Sequence, residues 1–340
     1  MRTEDFAYQL PEDRIALWPR PRGSSRLLVL DRRGGCLKQS NVRTLPTWLD
    51  PGDLLLLNDV KVVPARLWGK RAGGGRCEFL LLRPSQTGWE VLARPVAKLR
   101  AGAVVRFSWG EGEVREHLGE GRLQMVFRPP LTLELLSRIG EVPLPPYIAK
   151  KRSPLPEDRV KYQTVYACSG QAVAAPTAGL HLTAELLHAC RLRGVQVVML
   201  TLHVGPGTFK PVTAQDPSQH YLDPEGYEIP PPAAAALNNA LQQNRRIVCV
   251  GTTAVRALED ALTKGRGRVR AGTALADTFI LPGFRFRGTG ALLTNFHLPR
   301  STLLMLVAAF AGRDQVLAAY EQAKALGFGF YSYGDAMLIK

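Results

Sequence analysis

Between Asp53 and Phe127 the apolar residues fall in short runs, each closed by Gly or Pro: Asp53–Asn58, Cys77–Leu82, Trp89–Ala93, Val104–Ser108 and Arg122–Phe127. Spacings of roughly a dozen residues, with almost no helical periodicity, predict a small closed β-barrel or a sandwich. A short helix is expected over Leu131–Ile139. The stretch EVPLPPY, Glu141 to Tyr147, reads as a connection stiffened by proline. Beyond it the pattern alternates between two periods. Helices are predicted over Thr183–Arg193, Ala233–Gln243, Ala254–Lys264, Ser301–Ala311 and Asp314–Leu326, with Thr183 as a cap and Gly194 as a stop. Strands are predicted over Val195–Val204, Arg246–Val250, Ala291–Asn295 and Ala336–Ile339. Strands alternating with helices imply an α/β fold with a largely parallel sheet. All five Trp lie in the first third of the chain, in keeping with two differently built parts.

Composition adds one strong datum. The 340 residues carry 44 Lys+Arg against 29 Asp+Glu, a formal net charge of +15. The excess is +8 in residues 1–150 and +7 in 151–340, so no detachable basic tail carries it. It favours a polyanionic partner, nucleic acid above all. Arg outnumbers Lys 33 to 11; guanidinium suits bidentate phosphate contacts, and a GC-rich genome produces the same bias. The five Cys are an odd number, widely spaced and without C-x-x-C, so neither a disulfide framework nor a zinc knuckle is expected. No apolar signal core opens the chain, and the longest apolar runs are too short to span a bilayer. A soluble protein of a reducing compartment, with no membrane association, is the expectation.

Four local patterns carry candidate chemistry. IVCVGTTAVR, Ile247–Arg256, is a buried strand, a Gly, two Thr and a helix start. It reads either as an N–H-rich ligand site at the sheet's carboxyl edge or as a well-capped helix packed tightly on glycine. PTAGLH (Pro176–His181) places Thr, Gly and His before a capped helix. TLHVGPGTF, from Thr201, delivers His203 into a Gly-Pro-Gly turn, and TNFHLPRS, from Thr294, delivers Asn295 and His297 before another cap. One such His is usually structural; three of the six His at junctions of this kind favour a site. Spacing gives no metal-ligand set, so no metal is expected, and G-x-G-x-x-G, Walker A and G-x-S-x-G are all missing. The Gly-spaced basic loop Lys264–Arg270 is the most RNA-like piece. Arg20, Arg22 and Arg26, and Lys150–Arg152, are other basic stretches, each alone also readable as a solvated face.

Together these strings resemble the S-adenosylmethionine:tRNA ribosyltransferase-isomerase family of queuosine biosynthesis. The resemblance runs nearly end to end: DFAYQLP from Asp5, SRLLVLD from Ser25, GDLLLLNDVKVVPARL from Gly52, PLPPYI from Pro143, YQTVYA from Tyr162, AVAAPTAGLH from Ala172, TLHVGPGTF from Thr201, VGTTAVRALE from Val250, TNFHLPRSTLLML from Thr294 and SYGDAMLI from Ser332. It implies an α/β domain with a mostly parallel sheet, residues 1–52 and 146–340, and an inserted small antiparallel β-barrel, residues 53–145. It also implies the reaction. The ribosyl part of S-adenosylmethionine moves to a 7-aminomethyl-7-deazaguanine base at the tRNA wobble position, adenine and methionine leave, and epoxyqueuosine results. S-adenosylmethionine is then a consumed substrate, no cofactor is expected, and a monomer is expected.

That chemistry needs a base for a hydrogen beside the sulfonium and an acid for departing adenine. His203, His181 and His297 are the candidate bases, and Asp335 or a second His the candidate acid. Asp59, Glu259, Phe296 and Tyr333 offer carboxylates or rings to the sulfonium. The N–H groups at Gly251, Thr252 and Thr253 or at Thr177–Gly179, with Arg256, suit the methionine carboxylate. Asn58, Arg66, Gly205, Gly207, Thr208 and Asn295 complete the expected substrate-binding set. Lys264, Arg266, Arg268, Arg270, Lys150, Lys151 and Arg152 form the expected tRNA-binding set. The chain departs from the family pattern at Leu182, where Phe is usual, at Asp223 in place of a second His, at Gly329 in place of Arg, and at Lys61 and Lys161 in place of Arg. Two rival readings are a non-catalytic tRNA-binding module and an RNA methyltransferase.

Overall fold

The run Leu54–Leu57 is apolar at four successive positions, and a strand can bury such a run only if both its faces are covered. All four side chains are fully buried, each stabilising the fold by about 1.5–3 kcal/mol. In the computed structural model, which describes residues 1–205, 207 and 212–340, Leu54–Asn58 is accordingly an interior strand, the fourth of a nine-stranded sheet. The sequence had placed it in the barrel. The strand order is Gly272–Ala276, Glu225–Ile229, Gln196–Leu202, Leu54–Asn58, Ile247–Val250, Thr289–Asn295, Ala336–Ile339, Arg26–Leu30 and Leu37–Asn41. The middle four, Gln196–Leu202 to Thr289–Asn295, run parallel. Ala336–Ile339 runs against them, with Arg26–Leu30 parallel to it, and the outer pairs are antiparallel. The sheet is therefore mixed, with parallel pairing at its centre, rather than mostly parallel throughout; hairpins and reversed strands close both flanks.

Helices form where the caps predict. Thr183 accepts from the Leu186 N–H (3.1 Å) to start Ala184–Leu192, and Ser301 accepts from the Leu304 N–H (3.2 Å) to start Thr302–Ala311. Among the described residues, no single helix is long and apolar enough to cross a membrane.

The other strands alternate instead. In Arg76–Ser85 the side chains of Cys77, Phe79 and Leu81 are buried and their neighbours less so; Leu123, Met125 and Phe127 do the same in Arg122–Arg128. Period-two burial suits a sheet with a core on one side only. These strands close into an antiparallel barrel in the order Arg122–Arg128, Gly88–Arg94, Arg76–Ser85, Arg66–Arg71, Val104–Phe107 and Gly110–Gly119.

The chain divides into two units: Met1–Lys61, Lys161–Gly170 and Ala175–Lys340, which hold the large sheet, and Val62–Val160 with Gln171–Ala174, which hold the barrel. The division thus falls later than the expected boundaries at 53 and 145. Leu54–Asn58 belongs to the sheet. At the other end Arg159 donates to the carbonyls of Ser137 (2.6 Å) and Gly140 (2.7 Å), keeping that stretch with the barrel unit.

Candidate active site

Four parallel strands end at one edge, each delivering a distinctive residue: Leu54–Asn58 delivers Asp59, Gln196–Leu202 delivers His203, Ile247–Val250 delivers Gly251, and Thr289–Asn295 delivers His297. The two strands that begin there, Arg26–Leu30 and Ala336–Ile339, bring Ser25 and Asp335 to the same edge. Ligands of open α/β sheets collect at such carboxyl ends.

Gly251 turns the chain at φ +87°, where side chains are strained, and starts Thr252–Lys264 with no side-chain cap. The first-turn N–H groups at Thr252 and Thr253 are therefore not taken by a cap, and the helix dipole favours an anion there. Beside this turn the segment Thr177–His181 runs as one 3-10 turn. An added Cβ at Gly179 would lie 2.0 Å from Tyr166 Oη and 2.9 Å from Thr164 Cγ2, so only glycine fits. One added at Gly251 would lie 3.5 Å from Thr253 Oγ1 and 3.6 Å from Ala178 Cβ, which places Thr253 against the same segment. Tyr166 Oη, Thr164 Oγ1, Thr253 Oγ1 and Asn295 Oδ1 are buried, and none has a hydrogen-bond partner. Native proteins rarely leave such atoms unpaired, because each costs about 1–3 kcal/mol. Burial, and secondarily the charge of Asp59, pushes the Tyr166 phenol well above its ordinary range.

The three histidines differ. His181 is buried: Asn295 Nδ2 donates to its Nε2 (3.1 Å), which leaves Nδ1–H to donate to Ser25 Oγ (2.9 Å). Burial lowers its pKa to about 4, against the opposing charge of Asp335. His297 is also buried, and its pKa falls to about 3 for the same reason. Its Nε2 meets Thr294 Oγ1 (2.8 Å), its N–H donates to Tyr320 Oη (3.0 Å), and its carbonyl accepts from Tyr8 Oη. Both are held neutral in the core. His203 is half-buried, with its N–H donated to the Gly226 carbonyl (2.8 Å). Its ring lies over Gly170, where an added Cβ would come within 2.6 Å of Cε1. Nearby, Asp59 accepts from Thr201 Oγ1 (2.6 Å) and from Cys168 Sγ (3.2 Å).

Several expected roles do not survive the geometry. Asp335 is fully buried and accepts from the Arg26 N–H (2.8 Å), the Gly329 N–H (2.7 Å) and Arg20 (2.9 Å), with the Arg26 guanidinium at 3.5 Å; it pins strands rather than offering a proton. Glu259 lies two turns along its helix from Thr252. It accepts from the N–H groups of Arg287 (2.8 Å), Gly288 (3.1 Å) and Thr289 (2.8 Å) at the opposite edge of the sheet. Arg256 is paired with buried Glu225, whose other oxygen holds the Gly205 N–H at 2.7 Å, so its charge is already met by a carboxylate of this chain. Phe296 is enclosed by Tyr320, Phe328 and Phe330 and presents no face to a ligand. Asn58 staples the Leu202 backbone with two bonds of 3.0 Å. Arg66 belongs to the barrel unit, where it donates to the Leu144 carbonyl (3.0 Å) and pairs with Glu78 (3.1 Å). Gly207 is buried, with Asp223 Oδ2 3.5 Å from where a Cβ would stand; Thr208 lies outside the described residues. Thr177 is half-buried, and Tyr333 packs edge-on against Tyr162 at 5.9 Å.

The basic set also divides. Lys264 pairs with Asp260 (3.0 Å) and Asp277 (2.9 Å), and Arg152 grips Asp158 with two bonds of 2.7 and 2.8 Å. Lys150, Lys151, Arg266, Arg268 and Arg270 are exposed. The 266–270 loop follows a 13-residue helix that starts at the site, so it stands about 20 Å away at the opposite edge.

Sequence reasoning missed Tyr166, Thr164, Ser25 and Cys168, and read Arg22 only as part of a basic stretch. Arg22 donates to the Gln163 carbonyl, and burial lowers its pKa against the opposing influence of Tyr166 and Tyr333. The motifs YQTVYA and SRLLVLD contained most of these residues, but only the sheet brings them to Gly179 and His181. Among the described residues no three His, Cys, Asp or Glu side chains converge as a metal would require.

A family model described as "Queuosine biosynthesis protein" matches residues 3–339. The chain is 48% identical over 346 residues to the S-adenosylmethionine:tRNA ribosyltransferase-isomerase of Moorella thermoacetica, covering 100% of both. It is 47% identical over 345 residues to the protein of that name from Symbiobacterium thermophilum, again covering 100% of both. A crystal structure of S-adenosylmethionine tRNA ribosyltransferase from Thermotoga maritima superposes with a TM-score of 0.56 at 35% identity, covering 99% of this chain and 100% of that one.

Proposed function

The chain belongs to the queuosine biosynthesis protein family, and we propose that the sheet edge around Gly179, Gly251 and His203 is where it carries out the S-adenosylmethionine:tRNA ribosyltransferase-isomerase reaction. Its substrates are S-adenosylmethionine and tRNA. The acceptor in this reading is a 7-aminomethyl-7-deazaguanine base at the wobble position, attacked through its amine, and the enzyme works as a monomer that consumes S-adenosylmethionine with no further cofactor.

The observation that supports this location is the set of four unpartnered buried polar atoms around Thr177–His181, beside a helix N-terminus with no side-chain cap. A zwitterionic nucleoside substrate offers partners to both features. Its carboxylate suits the N–H groups at Thr252 and Thr253, and Asp59, at the end of Leu54–Asn58, offers a carboxylate to its sulfonium. His203 takes the role of base. A general base works best near the operating pH. The buried His181 and His297, lowered to about 4 and about 3, are too weak and too tightly bonded; His181 orients Asn295 and Ser25 instead.

The test incubates the protein with tRNA carrying the aminomethyl base and labelled S-adenosylmethionine. Release of adenine together with methionine supports ribosyl transfer, and S-adenosylhomocysteine in their place would establish methylation instead. His203→Ala should lower adenine release by about 10²-fold or more. Unchanged turnover would remove His203 from the mechanism.

A further inference from the structure

Among the described Phe, Tyr and Trp side chains only two are exposed, Trp18 at 55% and Tyr221 at 71%, and Trp18 sits on a segment tied to the His181 backbone. Ala16 donates its N–H to the Phe330 carbonyl (3.2 Å), and Gly23 donates its N–H to the carbonyl of His181 (3.2 Å). Trp18 lies between these two anchors, five residues from Gly23, so at most about 18 Å of extended chain separates it from the His181 backbone.

The segment Leu17–Arg22 reads LWPRPR. Pro19 and Pro21 fix their φ angles, and Arg20 is bound to Asp335 at 2.9 Å, so the indole is carried on a stiff support. Arg22, at the end of the segment, reaches the neighbourhood of Tyr166 and Tyr333. An exposed ring on a pre-ordered, cationic segment beside a base-modifying site matches the needs of a single-stranded nucleic acid: a π-face to stack on and positive charge for the backbone.

We propose that Trp18 is a stacking platform for an anticodon-loop nucleotide next to the target base. The inference rests on tRNA being the substrate at this edge. When the target base is drawn into the site, the nucleotide beside it loses a stacking partner, and the indole takes that partner's place. Trp18 is thus a positioning residue for tRNA, with no part in the bond changes.

The experiment measures binding of a fluorescently labelled anticodon stem-loop carrying the aminomethyl base by anisotropy. A companion series has one loop nucleotide at a time made abasic, and adenine release is followed in parallel. Trp18→Ala and Trp18→Leu should each weaken stem-loop binding about tenfold while leaving KM for S-adenosylmethionine within about twofold, and Trp18→Phe should restore most of the affinity. One abasic position should weaken wild-type binding yet cost the Ala variant nothing further. Wild-type affinity in Trp18→Ala, or in the apolar but non-stacking Trp18→Leu, would overturn the platform, as would equal abasic penalties in wild type and variant. Because binding is read without turnover, a wild-type protein that binds the stem-loop and releases no adenine counts against the reaction, while the binding of the Trp18 variants still upholds or overturns the platform.

Discussion

Gly179 provides the sharpest test of the site's geometry. In Gly179→Ala the new Cβ would stand 2.0 Å from Tyr166 Oη, a separation that Cβ atoms essentially never show, so the phenol must retreat by 1 Å or more. Tyr166 packs in the buried core with Leu182, Leu186 and Ala178, and close-packed interiors yield such space at about 1–3 kcal/mol. Removing the hydroxyl relieves the worst contact: in Tyr166→Phe the nearest atoms to the new methyl become Thr164 Cγ2 at 2.9 Å and the ring Cζ at 3.0 Å. Tyr166→Phe alone should cost under about 1 kcal/mol, since its Oη has no partner to lose. The two substitutions should therefore compensate, with a coupling of about 1 kcal/mol in the double variant. Urea unfolding of the wild type, both single variants and the double variant measures this, with adenine release as the second readout. Additive costs within about 0.5 kcal/mol would refute the contact on which the site is built.

Three further outcomes follow from the charges. His181 and His297 have folded pKa values depressed to about 4 and about 3; below the unfolded value near 6.5 the unfolded chain binds protons that the folded one refuses. Their contribution is fully present above pH 6.5 and is lost at about 1.4 kcal/mol per pH unit per histidine as the pH falls towards 4. Unfolding curves at pH 7, 5.5 and 4.5 should show this, with a shallower fall in His297→Gln; matching pH dependences would contradict it. Asp335→Asn should destabilise by about 1.5–3 kcal/mol, because the buried carboxylate loses its charge-assisted bonds to Arg20 and Arg26, whose own side chains stay partly in water; a stable protein that has lost turnover would instead restore the acid role. Neutralising Arg266, Arg268 and Arg270 together should reduce the salt slope of full-length tRNA binding by about 0.7–0.9 per lost phosphate contact. It should leave anticodon stem-loop binding unchanged, since the loop stands about 20 Å from the site.

How far the sequence could be read is clearest at particular residues. Thr183 and Ser301 were legible as caps because a cap is a local bond between a side chain and an N–H three residues on. The ordered motifs were enough for the family. Asp335, Glu259 and Arg256 were misjudged because a charged residue in a motif looks alike whether it meets substrate or a neighbour 28 to 315 residues away. Their partners, Arg20, the 287–289 turn and Glu225, come from separate elements.

The sequence by itself determined most of the strands and helices and how the helices begin, because apolar periodicity and side-chain caps act between residues close along the chain. Leu54–Leu57 and Phe79–Leu82 are equally continuous apolar runs, and it is the layers packed around them, not their spacing, that bury the first on both faces in the large sheet and the second on alternate residues in the barrel. What only the tertiary structure decided was which of the three histidines stays accessible. Sequence places His181, His203 and His297 alike at the ends of elements. Burial, which depends on what other strands and loops stack against each ring, lowers two of them to about 4 and about 3 and leaves His203 half-exposed at the edge. The cost of charging a group in a low-dielectric interior is set by every atom around it.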